Sequence, residues 1–250
     1  MKLRHLDWLG SVWKIDTVNP FVEMYDVKNN LFKQRHVCPY PVDLVSRMIV
    51  LYSKKGELVL DPFCGSGTTN YASLLLFRKT VGYDLENKYI NLCKERCGSR
   101  AVFYNKSSEK MNELADNSVG LCITSPPYMN LKIYSNNPNN LGNIKEPYPI
   151  LKKIFTEVFR VLKPEGYFCM NVGNVPECNG YLTTFPFDML YMCQDLGFKL
   201  CNTIVWDKGL HLEDYNVDKM KIRENHEFIW IFQKPPTSGG VFGTPSRAAK

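Results

Sequence analysis

The chain has 250 residues, of which 44% are hydrophobic and 22% are charged. This composition predicts a folded protein with a substantial core and excludes a largely disordered chain. The longest uncharged apolar runs, such as Ala72–Phe77, are too short to cross a bilayer, and the charged N-terminus lacks the apolar stretch of a signal peptide. We therefore predict an intracellular protein that has no membrane partner.

Nine cysteines are present, and their odd number and irregular spacing do not indicate a disulfide framework. Most of them lie within apolar segments, which is typical of buried thiols in a reducing compartment. Cys93 and Cys97 are one helical turn apart, but no second cysteine pair lies near them in the sequence, so we predict no metal site. The formal net charge of +6 is consistent with a polyanionic partner without requiring one.

From Lys54 onward, short β-rich runs alternate with helical stretches. Strands are predicted at Glu57–Leu60, Thr80–Tyr83, Ala101–Tyr104, Val119–Thr124, Tyr167–Asn171, Phe198–Trp206 and Glu227–Phe232, and helices at Thr68–Phe77, Glu86–Cys97, Ile150–Leu162 and Phe185–Leu196. Strands separated by helical crossovers indicate an α/β fold with a doubly wound, mostly parallel, seven-stranded sheet. The last two strands are joined by a polar linker instead of a clear helix, so this pair can be antiparallel.

Several segments lie outside this alternating pattern. Residues 1–34 are predicted to be an N-terminal extension, residues 35–234 the main domain and residues 235–250 a flexible tail. The tail is rich in Pro, Ser, Gly and Ala. Asn130–Pro149 and Lys208–Asn225 are polar and long for connections inside a domain, which is typical of functional or disordered loops.

The segment Leu58–Thr69 is a strand that runs into a glycine turn and then a helix. Gly65 and Gly67 let the backbone approach a ligand closely, and a helix N-terminus offers free N–H groups to an anion. The segment is not a Walker loop, since no Gly-Lys-Ser/Thr follows, and it lacks the third glycine of the dinucleotide fingerprint. Asp84 ends the next strand, where a carboxylate can bind ribose hydroxyls. We predict that this segment binds a cofactor.

A second motif, Thr124–Tyr128, places two prolines and an aromatic residue at the carboxyl end of a strand. Because proline cannot continue a central strand, the chain must leave the sheet here in a rigid, extended shape. This shape exposes backbone carbonyls at a fixed angle, with a hydroxyl on one side and a flat ring on the other. Acceptors beside a stacking surface suit a planar base that carries an amine. The alternative is a strand-ending turn in which Tyr128 only packs.

Asp61–Thr69 and Thr124–Tyr128 resemble the cofactor and catalytic motifs of the amino-methylating DNA methyltransferases, which use S-adenosylmethionine. The Ser-Pro-Pro-Tyr form is typical of their N4-cytosine branch, whereas the N6-adenine branch usually has Asp or Asn before the prolines. The resemblance covers about residues 35–234 and implies that they form the catalytic domain, with a Rossmann-like methyltransferase sheet. It also implies DNA as the partner, which residues 1–34 can contact. It includes the shorter segments Pro39–Pro41, Asp116–Val119, Val161–Gly166, Asn171–Asn174 and Arg223–Glu227.

The resemblance also implies roles for individual residues. The implied catalytic set is Ser125, Pro126, Pro127 and Tyr128. The implied cofactor-binding set is Pro39, Tyr40, Asp61, Phe63, Cys64, Gly65, Ser66, Gly67, Thr68, Asp84, Leu85 and Ser107. The implied activity is methylation of the N4 amine of a cytosine flipped out of double-stranded DNA. The implied setting is the cytoplasm of a prokaryote, in a restriction-modification system with a cognate endonuclease as a possible partner, and the oligomeric state stays open.

The chain departs from the family pattern at three points. Many Ser-Pro-Pro-Tyr enzymes place the catalytic motif before the cofactor motif, and here the order is reversed. The family often has Gly-Asp after the third strand, where the Asp helps to hold the cofactor adenine, whereas this chain has Asn105-Lys106-Ser107. Ser107 or backbone N–H groups are the predicted substitutes. No separate target-recognition domain is evident, so residues 1–34, Asn130–Pro149 and Lys208–Asn225 are its candidates.

The exocyclic amine of cytosine is a poor nucleophile because its lone pair is delocalised into the ring. We predict that Ser125 Oγ and the Pro126 carbonyl accept its protons and direct the lone pair at the methyl group, while Tyr128 stacks on the flipped base. Methylation at C5 requires a cysteine nucleophile, usually after proline, and the chain has no Pro-Cys dipeptide. N6-adenine methylation, RNA amino-methylation and a non-catalytic nucleic-acid-binding subunit remain the alternatives.

Overall fold

The computed structural model describes residues 6–16, 25–26, 31–32, 40–127, 138–144, 146–175, 181–209 and 225–237. In chain order, the strands are β1 (Val12–Lys14), β2 (Tyr25–Asp26), β3 (Leu31–Phe32), β4 (Leu58–Asp61), β5 (Lys79–Asp84), β6 (Val102–Asn105), β7 (Val119–Thr124), β8 (Leu162–Val172), β9 (Lys199–Asp207) and β10 (His226–Gln233). The helices are α1 (Val42–Tyr52), α2 (Thr68–Leu75), α3 (Asn87–Cys97), α4 (Tyr148–Val161) and α5 (Phe185–Asp195).

One large sheet has the strand order β1-β9-β10-β8-β7-β4-β5-β6, and β2 and β3 form a separate antiparallel pair. All neighbours in the large sheet are parallel except β10, which is antiparallel to both β8 and β9. The predicted doubly wound, mostly parallel sheet is confirmed, and so is the antiparallel last pair.

The predicted number of seven strands is wrong, because the sheet has eight. The additional strand is β1, which pairs in parallel with β9 through Val12 and Val205. A strand of three residues has no clear alternating pattern, and its partner lies almost a full chain length away, so local sequence could not reveal it. Part of the predicted N-terminal extension therefore belongs to the sheet. DNA contact by the rest of residues 1–34 stays a prediction.

The segment Lys163–Gly166, predicted to separate a helix from a strand, lies inside β8. Val119 of β7 pairs with Leu162, but Leu121 pairs with Tyr167, so the extra residues of β8 form a bulge. Glu165 has a positive φ of 62°, which is a conformation found at bulges and turns. The proline and glycine thus interrupt the pairing without ending the strand.

Apolar residues cover both faces of the sheet. The face under α4 and α5 packs around Phe155, Phe168 and Phe185, and the face under α1 and α2 packs around Met48, Ala72 and Ile229. In α4 the buried positions recur at helical spacing and leave its lysines exposed. Listed along the helix, these buried positions are Leu151, Ile154, Phe155, Val158 and Val161. Because helices cover both faces of the sheet, the carboxyl ends of its parallel strands remain accessible.

Some predictions fall on residues that lie outside the described part. These are Pro39, Tyr128, the tail from residue 238 onward, residues 130–137 and 145 of the first polar segment and residues 210–224 of the second. Among the residues that are described, no helix has the length and hydropathy needed to cross a membrane.

Trp13→Ala is expected to lower the free energy of unfolding by about 3–5 kcal/mol. The Trp13 side chain is 1% exposed, its indole Nε1 donates to the Trp8 carbonyl at 3.2 Å, and it belongs to the same apolar cluster as Met48. Urea unfolding followed by circular dichroism measures the change. Val12→Ala on the same strand, where the side chain is 61% exposed, is the control and should change stability little. Equal stabilities of the two variants would show that β1 is not part of the folded core.

Candidate active site

A cavity of about 360 Å³ lies at the carboxyl ends of the central strands. The strand order reverses between β4 and β7, and such a switch point is where parallel α/β sheets bind ligands. Several residues that were predicted to bind the cofactor or to act in catalysis line this cavity. Those that line it are Tyr40, Phe63, Cys64, Gly65, Ser66, Thr68, Asp84, Leu85, Ser107, Ser125 and Pro127. The two sequence motifs, about sixty residues apart, therefore face a single cavity.

The Asp61 carboxyl group at the end of β4 is fully buried and accepts hydrogen bonds from several elements. Thr69 Oγ1 of α2 donates at 2.6 Å and Thr124 Oγ1 of β7 donates at 2.7 Å. The backbone N–H of Phe63 donates at 3.1 Å. The Tyr40 hydroxyl lies 3.1 Å from Asp61 Oδ2 and 2.5 Å from Thr69 Oγ1. The Asp61 side chain therefore connects the turn after β4 and helix α2 to strand β7, which directly precedes Ser125.

Burial raises the pKa of Asp61, and the hydrogen bonds from Thr69, Thr124 and Phe63 oppose that rise because they stabilise the charged form. Burial and the neighbouring Asp61 charge raise the pKa of Tyr40. Asp61 does not line the cavity, and neither do Gly67 and Pro126. The structure places Asp61 beneath the cavity wall, where it can position the ligand-facing residues.

The glycine turn takes its shape from close packing against α3. Gly67 directly precedes α2 as its N-cap residue and has a positive φ of 80°. A Cβ added there would lie 2.8 Å from Cys93 Sγ. Cys64 Sγ lies 4.0 Å from Cys93 Sγ, and burial raises the pKa of the Cys64 thiol. Cys64 is thus a protonated packing residue with one side toward the cavity. Across the described residues, no group of three or more His, Cys, Asp or Glu side chains is placed to hold a metal ion.

Asp84 at the end of β5 is held by two backbone donors. Gly65 N–H donates to its Oδ2 at 2.9 Å, and Glu86 N–H donates to its Oδ1 at 2.8 Å. Burial raises the pKa of Asp84 to about 6. Each carboxylate oxygen has a second lone pair, so the group can still accept from hydroxyls in the cavity. Its position fits the predicted contact with a ribose.

The residues at and after the end of β6 occupy the place where the family often has Gly-Asp. The Asn105 side chain donates to the carbonyls of Asp84 and Leu85 at 3.0 and 2.9 Å, so it fixes the loop after β5. Ser107 and Glu109 both line the cavity, and Ser107 Oγ donates to Glu109 Oε1 at 3.1 Å. The other oxygen of Glu109 is paired with Lys153 of α4 at 3.2 Å. An acidic side chain is therefore present in this wall, a few residues later than the family pattern has it.

Other cavity residues were missed at the sequence level. Glu86 and Tyr89 follow Asp84 directly, so the position of Asp84 could have indicated them. Asn140, Leu141 and Ile144 come from a segment without a recognisable motif. Ile150 and Ile154 of α4 add to the apolar wall. Pro62, Lys106, Ser108 and Asn139 complete the set that was not predicted.

Solved structures with the same fold include methyltransferases. An S-adenosylmethionine-dependent methyltransferase from Methanosarcina mazei aligns with a TM-score of 0.53 and 17% identity, covering 76% of this chain and 98% of that chain. The [4+2]-cyclase SpnF aligns with a TM-score of 0.54 and 16% identity, covering 78% of this chain and 81% of that one. At these identities the likeness establishes the Rossmann-like methyltransferase fold and leaves the reaction open.

The chain belongs to the DNA methylase family that is named for N6 and N4 methylation, because that family matches residues 2–95 and 119–242. A general methyltransferase domain also matches residues 60–170, which include both sequence motifs. These matches confirm S-adenosylmethionine as the cofactor. They do not distinguish N4-cytosine from N6-adenine methylation.

The curated relatives are Type II methyltransferases. M.HpaI of Haemophilus parainfluenzae is 36% identical over 111 residues, which cover 43% of this chain and 33% of that protein. M.BamHI of Bacillus amyloliquefaciens is 35% identical over 114 residues, which cover 44% of this chain and 25% of that protein. The aligned part thus spans about a third or less of these relatives' own length.

Cofactor affinity is expected to fall about tenfold as the pH is lowered from 8 to 5, with a midpoint near the pKa of Asp84, which is about 6. In the predicted contact, ribose hydroxyls donate to the ionised carboxylate of Asp84, and protonation below that pKa removes the charge. Isothermal titration calorimetry with S-adenosylmethionine measures the profile. Asp84→Asn should bind more weakly at pH 8 and lose this pH dependence. A parent profile that is flat, or an Asp84→Asn profile that keeps the same slope, would contradict the ribose contact.

Proposed function

We propose that this chain is an S-adenosylmethionine-dependent methyltransferase that modifies the exocyclic amine of a base flipped out of duplex DNA, and that the base is cytosine, methylated at N4. One observation carries the proposal: Ser125 and Pro127 line the same cavity as Gly65, Ser66 and Asp84. The family supports DNA as the substrate. The Type II relatives support a role in restriction-modification, with a cognate endonuclease as partner.

The cavity fits the chemistry of the cofactor. When bound, S-adenosylmethionine supplies an electrophilic methyl group on a positively charged sulfonium. The wall carries three acidic side chains, Asp84, Glu86 and Glu109, against one lysine, Lys106, which favours a cationic ligand. Asp84 suits the ribose, and the apolar side chains of Leu141, Ile144, Ile150 and Ile154 suit a flat adenine ring. Ser107 and Glu109 provide acceptors for the adenine amine.

The chain's own contribution to catalysis is positioning. Ser125 is half-buried at the cavity wall, directly after the buried strand β7. Its Oγ and the Pro126 carbonyl accept the two N–H groups of the target amine, so that the nitrogen lone pair is directed at the methyl group. When bound, the cofactor would supply the methyl group and keep the electron pair of the methyl–sulfur bond on its sulfur. Ser125 Oγ and the Pro126 carbonyl would hold the amine during transfer, and its extra proton would pass to solvent. No strong base is needed, because orientation and fixed acceptors lower the barrier.

The choice of cytosine rests on the residue type at position 125. Serine offers a neutral hydroxyl before the two prolines, where adenine-methylating relatives usually have Asp or Asn. N6-adenine methylation is the second candidate, because the family includes both amine targets.

The product identifies the reaction directly. The purified chain is incubated with S-adenosylmethionine and either unmethylated genomic DNA or total RNA, and the nucleosides are analysed by mass spectrometry. N4-methylcytosine in DNA is the expected product. N6-methyladenine would overturn the base assignment, and modification of RNA alone would overturn the DNA assignment. Cofactor and DNA binding without any methyl transfer would indicate a non-catalytic subunit.

Ser125→Ala is expected to lower kcat by about tenfold or more while the cofactor Kd changes by less than about twofold. The lost acceptor acts on the target amine and strengthens as that amine becomes tetrahedral, whereas the cofactor contacts stay in place. Single-turnover methylation and calorimetry measure the two quantities. Ser118→Ala, at the opposite end of the same strand, is the matched control and should retain parental turnover. A parallel loss of turnover and cofactor affinity in Ser125→Ala would assign Ser125 to the cofactor site.

A further inference from the structure

A buried polar network lies beside Ser125 on the next strands of the sheet. Asn171 near the end of β8 is 3% exposed, and its side-chain Nδ2 donates to Glu227 Oε2 at 2.5 Å. Glu227 Oε1 is in turn paired with Lys208 Nζ at 3.0 Å. Asn171 lies in β8, Glu227 lies in β10 and Lys208 directly follows β9. The network therefore joins three strands where they end at the same side of the sheet.

Asn171 Oδ1 has no hydrogen-bond partner among the described residues, although it is buried. A buried carbonyl oxygen without a partner is unfavourable unless a ligand or a moving side chain completes it. The Glu227 carboxylate fixes the orientation of the amide, because a rotated amide would bring two acceptor oxygens together. Gly173 leaves room for this arrangement, since an added Cβ would lie 3.1 Å from Glu227 Cγ. The network therefore holds one acceptor in a fixed place.

The register of the sheet puts that acceptor next to the catalytic motif. Thr124 of β7 pairs with Met170 of β8. Ser125 directly follows the end of β7, and Asn171 follows Met170 in β8, so strand spacing places their backbones about 5 Å apart. The preceding residues on the same face, Ile123 and Cys169, pack in one apolar cluster. Since side chains alternate along paired strands, Ser125 and Asn171 follow on the face that Ile123 and Cys169 share.

A serine hydroxyl has one proton and two lone pairs. It can accept an N–H of the target amine only if its own proton points elsewhere. We propose that Asn171 is a positioning residue whose Oδ1 accepts the Ser125 hydroxyl proton when the target base is bound, so that the lone pairs of Ser125 face the amine. Glu227 and Lys208 hold Asn171 in that orientation. This inference rests on the proposed methyl transfer and adds a residue that acts through Ser125.

A double-mutant cycle tests the inference on the full chain with duplex DNA and S-adenosylmethionine. Asn171→Ala alone is expected to lower kcat about 5- to 10-fold, while the cofactor Kd changes by less than about twofold. In a Ser125→Ala background, the same change is expected to lower kcat by less than about twofold, because its effect passes through the serine. Asn202→Ala, on strand β9 two places from β8 and with an exposed side chain, is the control and should leave kcat unchanged in both backgrounds.

Effects of Asn171→Ala that are additive with Ser125→Ala would overturn the inference, and so would an unchanged kcat in the single variant. Thermal melting shows whether each variant folds. If Asn171→Ala does not, Glu227→Met enters the same cycle: it keeps a side chain of similar length but removes the oxygen that accepts from Asn171 Nδ2, and the same non-additivity is expected. Additivity there overturns the inference as well. If the parent chain transfers no methyl group, the proposed function fails first and the inference falls with it.

Discussion

The arrangement of the site depends on one buried carboxyl group. Asp61 gathers donors from α2, from β7 and from the turn after β4, and the hydroxyl of Tyr40 completes the cluster. A carboxyl group removed from water is stable only if its lone pairs are satisfied, so each donor is required by the burial of the acceptor. The turn after β4 and strand β7 are consequently fixed with respect to each other before any ligand binds.

Asp84 makes a second connection of the same kind, since it ties the glycine turn to the end of β5. Together the two carboxyl groups determine the shape of the cavity from below and from one side. This explains why its wall includes backbone from a tight turn. Methyl transfer by direct displacement requires two reactants held in line, and a rigid frame around the switch point meets that requirement.

Local signals in the sequence were sufficient for the central strands and for the glycine turn after β4. Both ends of β7 were predicted correctly, because an apolar run there meets two prolines. The edge strand β1 was not predictable, since its stability comes from packing Trp13 against distant parts of the chain. Leu141 and Ile144 line the cavity because of the three-dimensional course of a long connection, and no sequence motif identifies them. Asn171 belonged to a segment similar to the family, but its fixed oxygen became visible only through the pairing of β7, β8 and β10.

The pairing of β1 with β9 joins positions near the two ends of the chain. Such a contact closes a loop that contains almost the whole domain, so it cannot form during synthesis until β9 has left the ribosome. The central parallel strands β4 to β8 are complete earlier, and the N-terminal strand must remain available in the meantime. Only the end of β9, Val205–Asp207, gains a partner strand in this last step. The order of assembly is therefore the reverse of the order of translation for this strand.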